Sequence, residues 1–347
     1  MSVDLTIALD AMGGDKAPTV VVHGVNIARK RHPEARFLLF GRENEIKPHV
    51  DRLAKLRAVS EIVHCEDKVE SDIKPSVALR SGRHSSMRRA IDSVRDKRAD
   101  AVVSAGNTGA LMAMSKLSLR TMPGIDRPAI CSFFPTQRGE SVMLDLGANV
   151  HCDARNLVDF AIMGRAFARA VLGLTAPTQA LLNVGSEDIK GHEALQAARA
   201  ILARLDPEGF KGFVEGDDLL RGSVDVVVTD GFTGNVALKT AEGTAELIGE
   251  YLNRTFRSSI MASLGYLLAR QAMQKLRKRL DPRRYNGAVF LGLNGIVVKS
   301  HGGTDALGFA HAVSVTVDMV RHGVIATIAK DCENAAISAS ASRLAAN

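Results

Sequence analysis

The sequence predicts a Rossmann-like α/β protein in which helices cover both faces of a mainly parallel sheet. Short apolar, β-branched runs recur along the chain, each followed by a glycine-bearing turn and a helical pattern. The run Ala101 to Met114, AVVSAGNTGALMAM, passes from a strand through Gly106 and Gly109 into a helix. Val226 to Lys239, VVVTDGFTGNVALK, repeats the pattern, with Gly231 and Gly234 at the same spacing and Thr233 in the place of Thr108. At 347 residues and 46% apolar composition, the chain can bury a large core, as one α/β domain or two.

Thr6 to Asp10 reads as the first strand, ending in a loop that holds Asp10, Gly13, Gly14 and Asp15. Pro18 opens a helix that Pro33 ends. The loop lacks the Gly-x4-Gly-Lys-[Ser/Thr] spacing, which excludes a nucleotide-hydrolysing phosphate loop. Its two carboxylates can hold Mg²⁺ or fix the loop, and the second reading is preferred.

Strands follow at Arg36 to Phe40 and Glu61 to His64, then a basic helical stretch before the central strand at Ala101. Ala129 to Pro135 and Ser141 to Asp145 form a strand pair about Gly139. Asn156 to Leu172 is a helix, and Gln179 to Val184 is a strand opening into a loop with Lys190 between glycines. A helix from His192 to Arg204 and a strand from Asp225 to Thr229 lead to the second glycine turn. Ala288 to Lys299 reads as two strands about Asn294-Gly295, a type I′ hairpin signal. His301, before Gly302-Gly303, can serve as an acid, as a phosphate donor or only as a loop residue. The small-residue tail from Ala335 is expected to fray.

The first amides of a helix lack intrahelical partners and sit at its positive end, so the Gly106 to Gly109 turn can hold an anion, helped by the side chains of Asn107 and Thr108. Ligands in open α/β sheets bind beyond the carboxyl ends of strands. The two glycine turns are therefore expected to face one crevice.

Charge is localised. Between Arg254 and Arg284 nine bases and one acid give +8, against +7 for the whole chain, which leaves −1 on the remainder. That argues for one anionic docking surface and against general nucleic-acid binding. Cys65, Cys131, Cys152 and Cys332 form no Cys-x-x-Cys pair, so neither a zinc site nor a disulfide framework is indicated. No apolar run approaches the roughly 20 residues of a bilayer span, and the first residues carry acids where a signal peptide carries bases. A cytoplasmic protein is expected.

Taken together, the loops LDAMGGD (Leu9 to Asp15), SAGNTGA (Ser104 to Ala110), DLGAN (Asp145 to Asn149), LLNVGSEDIKG (Leu181 to Gly191), TDGFTGN (Thr229 to Asn235) and the His301-Gly302 turn resemble the acyl-acyl-carrier-protein:phosphate acyltransferases of bacterial phospholipid synthesis, the PlsX family. The resemblance spans nearly the whole chain in order. His151 departs from it, standing where aspartate is the pattern.

The resemblance implies transfer of a fatty acyl group from acyl carrier protein to inorganic phosphate, without metal or cofactor. It also implies a homodimer of isocitrate and isopropylmalate dehydrogenase-like fold, whose acyl phosphate a membrane glycerol-3-phosphate acyltransferase consumes. On that logic Gly106, Asn107, Thr108 and Gly109 cradle phosphate and Thr233, Gly234 and Asn235 close the other side. Lys190 neutralises phosphate or the oxyanion, Asp230 and His301 orient groups or move a proton, and Asp10, Gly13, Gly14 and Asp15 line the site. A nicotinamide-dependent dehydrogenase would share the fold, but Gly-x-Gly-x-x-Gly with its acid is missing. A non-catalytic carrier-protein or lipid-binding scaffold would not need two anion turns.

Residues 250–284 are expected to form a protruding helical hairpin on a single domain spanning 1–335. Ile260, Met261, Leu264, Leu267 and Leu268 recur at helical spacing in an uncharged run too short to span a bilayer but able to enter its interface. Lys275, Arg277, Lys278 and Arg279 flank it, facing anionic headgroups or acyl carrier protein. The alternative is a dimer interface. The expected location is the inner face of the cell membrane, peripherally bound.

Overall fold

The computed structural model describes residues 5–280, 283 and 286–345, with the side chains at 277–280 and 335–345 outside the description. The amino-terminal third comprises β1 (Leu5–Asp10), α1 (Thr19–Arg31), β2 (Ala35–Gly41), α2 (Glu43–Asp51), α3 (Ala54–Arg57), β3 (Ser60–His64), α4 (Pro75–Ser81), α5 (Ser86–Arg95), β4 (Ala101–Ser104) and α6 (Thr108–Leu119). The middle comprises β5 (Ala129–Thr136), β6 (Gly139–Leu144), α7 (Ala154–Leu172), β7 (Gln179–Leu182), α8 (Glu193–Leu205), β8 (Phe210–Val214), α9 (Asp218–Arg221) and β9 (Val226–Val228). Then follow α10 (Gly231–Phe256), α11 (Ile260–Leu268), α12 (Arg270–Leu280), β10 (Ala288–Leu291), β11 (Ile296–Lys299), α13 (Ala306–Arg321) and α14 (Val324–Ala345).

All strands join one 11-stranded sheet in the order β3-β2-β1-β4-β11-β10-β5-β6-β9-β7-β8. Covered on both faces, its strands read as near-continuous apolar runs whose alternate residues enter different cores. Leu5, Ile7, Leu9, Val226 and Val228 pack with α1, α7, α8, α13 and α14, through residues such as Val25, Phe160, Ala198, Phe309 and Ile328. Ala8, Val102 and Val227 face the other side, with Ile91 of α5 and Leu111 and Met114 of α6. Helix α7 begins two residues before the expected Asn156 because Asp153 caps it in a reciprocal box with Asn156, and it ends at Gly173 in the left-handed conformation.

The sheet is two parallel blocks of opposite direction. β11 runs with β4, but the pairings β11/β10, β10/β5 and β5/β6 are antiparallel, after which β6, β9 and β7 run together. The β10–β11 link is longer than the expected two-residue turn. Gly292 has φ of +92°, Leu293 bridges to Thr121, and only then come Asn294 and Gly295, the latter without the positive φ that a type I′ turn requires. The carboxyl-terminal backbone, expected to fray from Ala335, stays helical to Ala345, in line with the strong helix preference of alanine.

The hairpin projects as expected. Of α10, only Gly231 and Gly234 are buried, and α11 has no buried residue. Phe256 and Tyr266 meet at 5.4 Å between ring centroids. No helix among the described residues is by itself long and apolar enough to cross a membrane.

Candidate active site

Sheet order reverses between β1 and β4. The chain leaves β1 for β2 and β3 on one side, then returns to place β4 on the other, which opens a crevice at the carboxyl ends of these strands. The loop after β1, the turn before α6 and the loop after β11 converge there.

Asp10, at the end of β1, is 1% exposed. Its carboxylate accepts the Ser86 hydroxyl at 2.6 Å, the Ser104 hydroxyl at 2.7 Å and the Met12 amide at 3.3 Å. Burial pushes its pKa up, against the pull of these donors and of Lys299. Both oxygens are thus engaged inside the fold, so Asp10 organises the loop. Gly13 is required because a Cβ there would lie 2.6 Å from Asp10 Oδ2 and 2.7 Å from the Gly106 nitrogen. Asp15 is exposed, and its amide donates to the Gly302 carbonyl at 3.0 Å, tying the first loop to the last.

The Gly106 amide turns inward, donating to Ser104 Oγ at 3.0 Å. Asn107 is the N-cap of α6: its Oδ1 accepts the Ala110 amide at 2.9 Å, and its Nδ2 donates to the carbonyls of Ser71 at 2.8 Å and Ile73 at 3.2 Å. Capping and anchoring of the 71–73 segment thus occupy the side chain expected to donate to an anion. What the turn offers is backbone: the amides of Thr108 and Gly109 stand in the first turn, beyond the reach of any intrahelical acceptor.

Lys299, the last residue of β11, lies opposite Ser104 in the sheet register. Its Nζ donates to the Ala105 carbonyl at 3.2 Å and to that of Ser300. Burial lowers its pKa to about 8 despite the attraction of Asp10 and Asp15. The sequence reading passed over this lysine as a strand end. The available signal was a cation closing the apolar run IVVK directly before Ser300 and the His301-Gly302 turn.

His301 is exposed beside it. Its amide donates to Asn286 Oδ1 at 2.9 Å, and its Nδ1 accepts the Gly303 amide at 3.2 Å. A neutral ring with Nδ1 as acceptor carries its proton on Nε2, the nitrogen free to donate. Asn286 also donates to Ser300 Oγ at 2.9 Å and Thr304 Oγ1 at 3.1 Å, bracing the turn.

The second glycine turn lies elsewhere. Asp230 caps α10, accepting the Thr233 amide at 2.9 Å and the Thr233 hydroxyl at 2.8 Å. A Cβ on Gly234 would fall 2.0 Å from the Asp145 carbonyl oxygen, so the helix start rests on the DLGAN loop. There the fully buried Asp145 accepts the amides of Ile130, Gly147, Ala148 and Asn149 and the Asn149 side chain, at 2.7 to 3.3 Å. Asn235 packs its amide against Gly147. Lys190 is exposed on the loop after β7, with its own amide bonded to the Glu187 carbonyl at 3.0 Å.

The single crevice expected for both turns does not form within one chain. β9 is five strand spacings from β4 and belongs to the block of opposite direction. At about 4.8 Å per spacing, roughly 24 Å separates the strands alone. Local spacing predicts each turn, but the antiparallel strands β10 and β5 orient one block against the other.

On the hairpin, Ile260, Met261, Leu264, Leu267 and Leu268 are 82%, 77%, 51%, 62% and 90% exposed. Lys275 is exposed too, whereas the side chains of Arg277, Lys278 and Arg279 lie outside the described residues. Cys65 and Cys131 are buried, and burial pushes the half-buried thiols of Cys152 and Cys332 up to about 12 and about 11.

The family described as fatty acid synthesis protein matches residues 5–327. The chain is 64% identical over 324 residues to the phosphate acyltransferase of Rhodospirillum centenum, across 93% of this chain and 91% of that one. The chain belongs to the PlsX family of phosphate acyltransferases. Its identity to the Paramagnetospirillum magneticum member is 58% over 332 residues, 95% of each chain. A phosphotransacetylase from Streptococcus pyogenes shares the α/β fold with a TM-score of 0.64 at 16% identity, over 92% of this chain and 94% of that one. In this PlsX-family chain Lys299 bonds the Ala105 carbonyl, three residues before the first turn of α6, at the mouth of the β1/β4 crevice.

Proposed function

We propose that the protein transfers a fatty acyl group from the thioester of acyl carrier protein to inorganic phosphate. Membership of a phosphate acyltransferase family supports the reaction, and the open amides of α6 beside Lys299 are the observation that carries its location. A phosphate oxygen attacks the thioester carbonyl carbon, a tetrahedral oxyanion forms, the C–S bond breaks, and acyl phosphate and the carrier thiolate leave. The thiolate takes a proton from solvent.

Inorganic phosphate passes from mono- to dianion near neutral pH and is already partly dianionic there, and a thiol of pKa about 8.5 leaves readily, so neither a strong base nor a covalent nucleophile is required. Holding the reactants together supplies about 7–11 kcal/mol and stabilising the oxyanion about 3–4 kcal/mol in favourable cases. Lys190 suits the oxyanion, while Asp230 shapes the second turn. Incubation of acyl-acyl carrier protein with phosphate, followed for free carrier thiol and acyl phosphate, tests the reaction; thiol release that ignores phosphate refutes it.

A homodimer would reconcile the distance between the turns with one shared phosphate site. If Lys190, Thr233, Gly234 and Asn235 serve the same phosphate as Thr108 and Gly109, they come from a second copy of the chain, as symmetric dimers permit. The exposed apolar face of α11 fits the interfacial layer of a membrane, with basic residues toward anionic headgroups. On this reading the protein works at the inner face of the cell membrane and passes acyl phosphate to a membrane glycerol-3-phosphate acyltransferase.

A further inference from the structure

Two loops, one after β4 and one after β11, meet at a single ammonium. Lys299 Nζ donates to the carbonyl of Ala105, which precedes Gly106, and to that of Ser300, which precedes His301. An ammonium has three protons. Two hold backbone of the two turns, and the charge has the same sign as the positive end of α6, which begins three residues after Ala105. We propose that Lys299 is the phosphate-positioning residue of this site, joining the Gly106 turn to the His301 turn and supplying the fixed positive charge beneath the bound phosphate. The proposal rests on the acyl-transfer reading for the ligand's role, but not for its binding.

The surroundings argue for a ligand. Lys299 faces two carboxylates, Asp10 and Asp15, yet it bonds carbonyls. Asp10 is engaged by Ser86, Ser104 and Met12, and Asp15 reaches solvent beside Gly302. Around the cluster, the His301 imidazole is exposed, and Arg283 is paired with Asp305 at 2.8 Å. The strands flanking Lys299 set only Ser104 and Ala288 opposite it. A half-buried lysine on a strand end costs desolvation that a surface lysine avoids, and a dianion in the crevice offsets that cost by restoring its charged form.

The pH dependence has a definite sign. Below pH 8 Lys299 is protonated and attracts phosphate; above it the charge is lost, while the two remaining N–H groups still reach the two carbonyls. Phosphate stays mainly dianionic over pH 7.5 to 9.5, so its own titration does not imitate the effect.

The test is binding of inorganic phosphate alone, by calorimetry, to the full-length wild type, Lys299→Arg and Lys299→Met across that pH range, with circular dichroism as the folding check. Wild-type affinity should fall about tenfold between pH 7.5 and 9.5. Lys299→Arg, charged throughout, should keep its affinity at pH 9.5, and Lys299→Met should bind at pH 7.5 as weakly as the wild type at 9.5. In turnover, Lys299→Met should raise the phosphate KM about tenfold with kcat changed less than threefold. A folded Lys299→Met with wild-type affinity and pH profile overturns the proposal. If that variant does not fold, an alkaline loss in Lys299→Arg identical to that of the wild type overturns it instead. Phosphate binding as expected without acyl transfer would refute the reaction and leave this role standing.

Discussion

Ser104 couples Asp10 to Gly106, its hydroxyl donating to the Asp10 carboxylate at 2.7 Å and accepting the Gly106 amide at 3.0 Å. Ser104→Ala would leave a buried carboxylate oxygen and a turn amide short of a partner, a loss of about 1–3 kcal/mol. Urea unfolding should show it, and the phosphate KM should rise more than kcat falls. Unchanged stability would mean that water replaces the hydroxyl.

Asn107 performs two tasks that substitutions can separate. Asn107→Asp keeps the cap on Ala110 but loses the donors to Ser71 and Ile73, whereas Asn107→Ala loses both. Alanine should cost about 1 kcal/mol more than aspartate through the lost cap. Both should raise the phosphate KM, and saturation curves that match the wild type would remove this turn from the site.

Asp159 supplies a pH signature away from the crevice. Burial raises its pKa to about 6 from an ordinary 3.8, and its Oδ2 lacks a hydrogen-bond partner. The folded form holds the proton more tightly than the unfolded form, so this contribution is fully present below pH 4 and is lost as pH rises through 6. Asp159→Asn should therefore stabilise the protein at pH 8, by at most about 3 kcal/mol, and add nothing near pH 3.5. Melting curves at both pH values check the sign.

Complementation tests the arrangement of the two turns. Gly109→Val places a side chain against Pro75, where a Cβ already lies 2.7 Å from Cγ, and should inactivate the first turn. Lys190→Ala should lower kcat far more than it raises the phosphate KM. Unfolded together and refolded, the two variants should recover about a quarter of wild-type activity, since half of randomly assorted dimers are mixed and each holds one intact site. No recovery would place Lys190 and the Gly109 turn in the same subunit's site or outside any site.

On the proposed membrane and dimer readings, the hairpin variant Leu264→Glu with Leu268→Glu should abolish flotation with anionic vesicles while leaving soluble activity and the dimer's mass intact. Dissociation of the dimer would instead identify α11 as a subunit contact.

The residues disclosed local structure well and relative placement poorly. Strand ends at Asp10 and Ser104 and the helix behind Thr108 are legible because β-branched runs, glycines and caps act over a few residues. β8 was missed because FKGFV is broken by Gly212, which takes a φ of +79°. Asn294-Gly295 promised a tight hairpin, but pairing of Leu293 with Thr121 lengthened the link. Lys299 escaped notice because its meaning lies in Ala105 and Asp10, distant in the chain, and the separation of Thr108 from Thr233 depends on strand directions that no short window contains.

The central strands have one more consequence, for how the molecule is made. Among the described residues β4 pairs with β1 and β11, and β5 with β6 and β10, so neither has its second neighbour until the chain beyond Gly287 has emerged. During synthesis the two blocks can each collapse early, but both keep an open edge while the long helical excursion of α10 to α12 is being added. The pair β10–β11 then enters as a keystone. Its partners lie about 160 to 195 residues away in the sequence, and until they meet both blocks keep an edge open to misassociation. A released chain ending before Ala288 should therefore engage chaperones more than the full-length chain does.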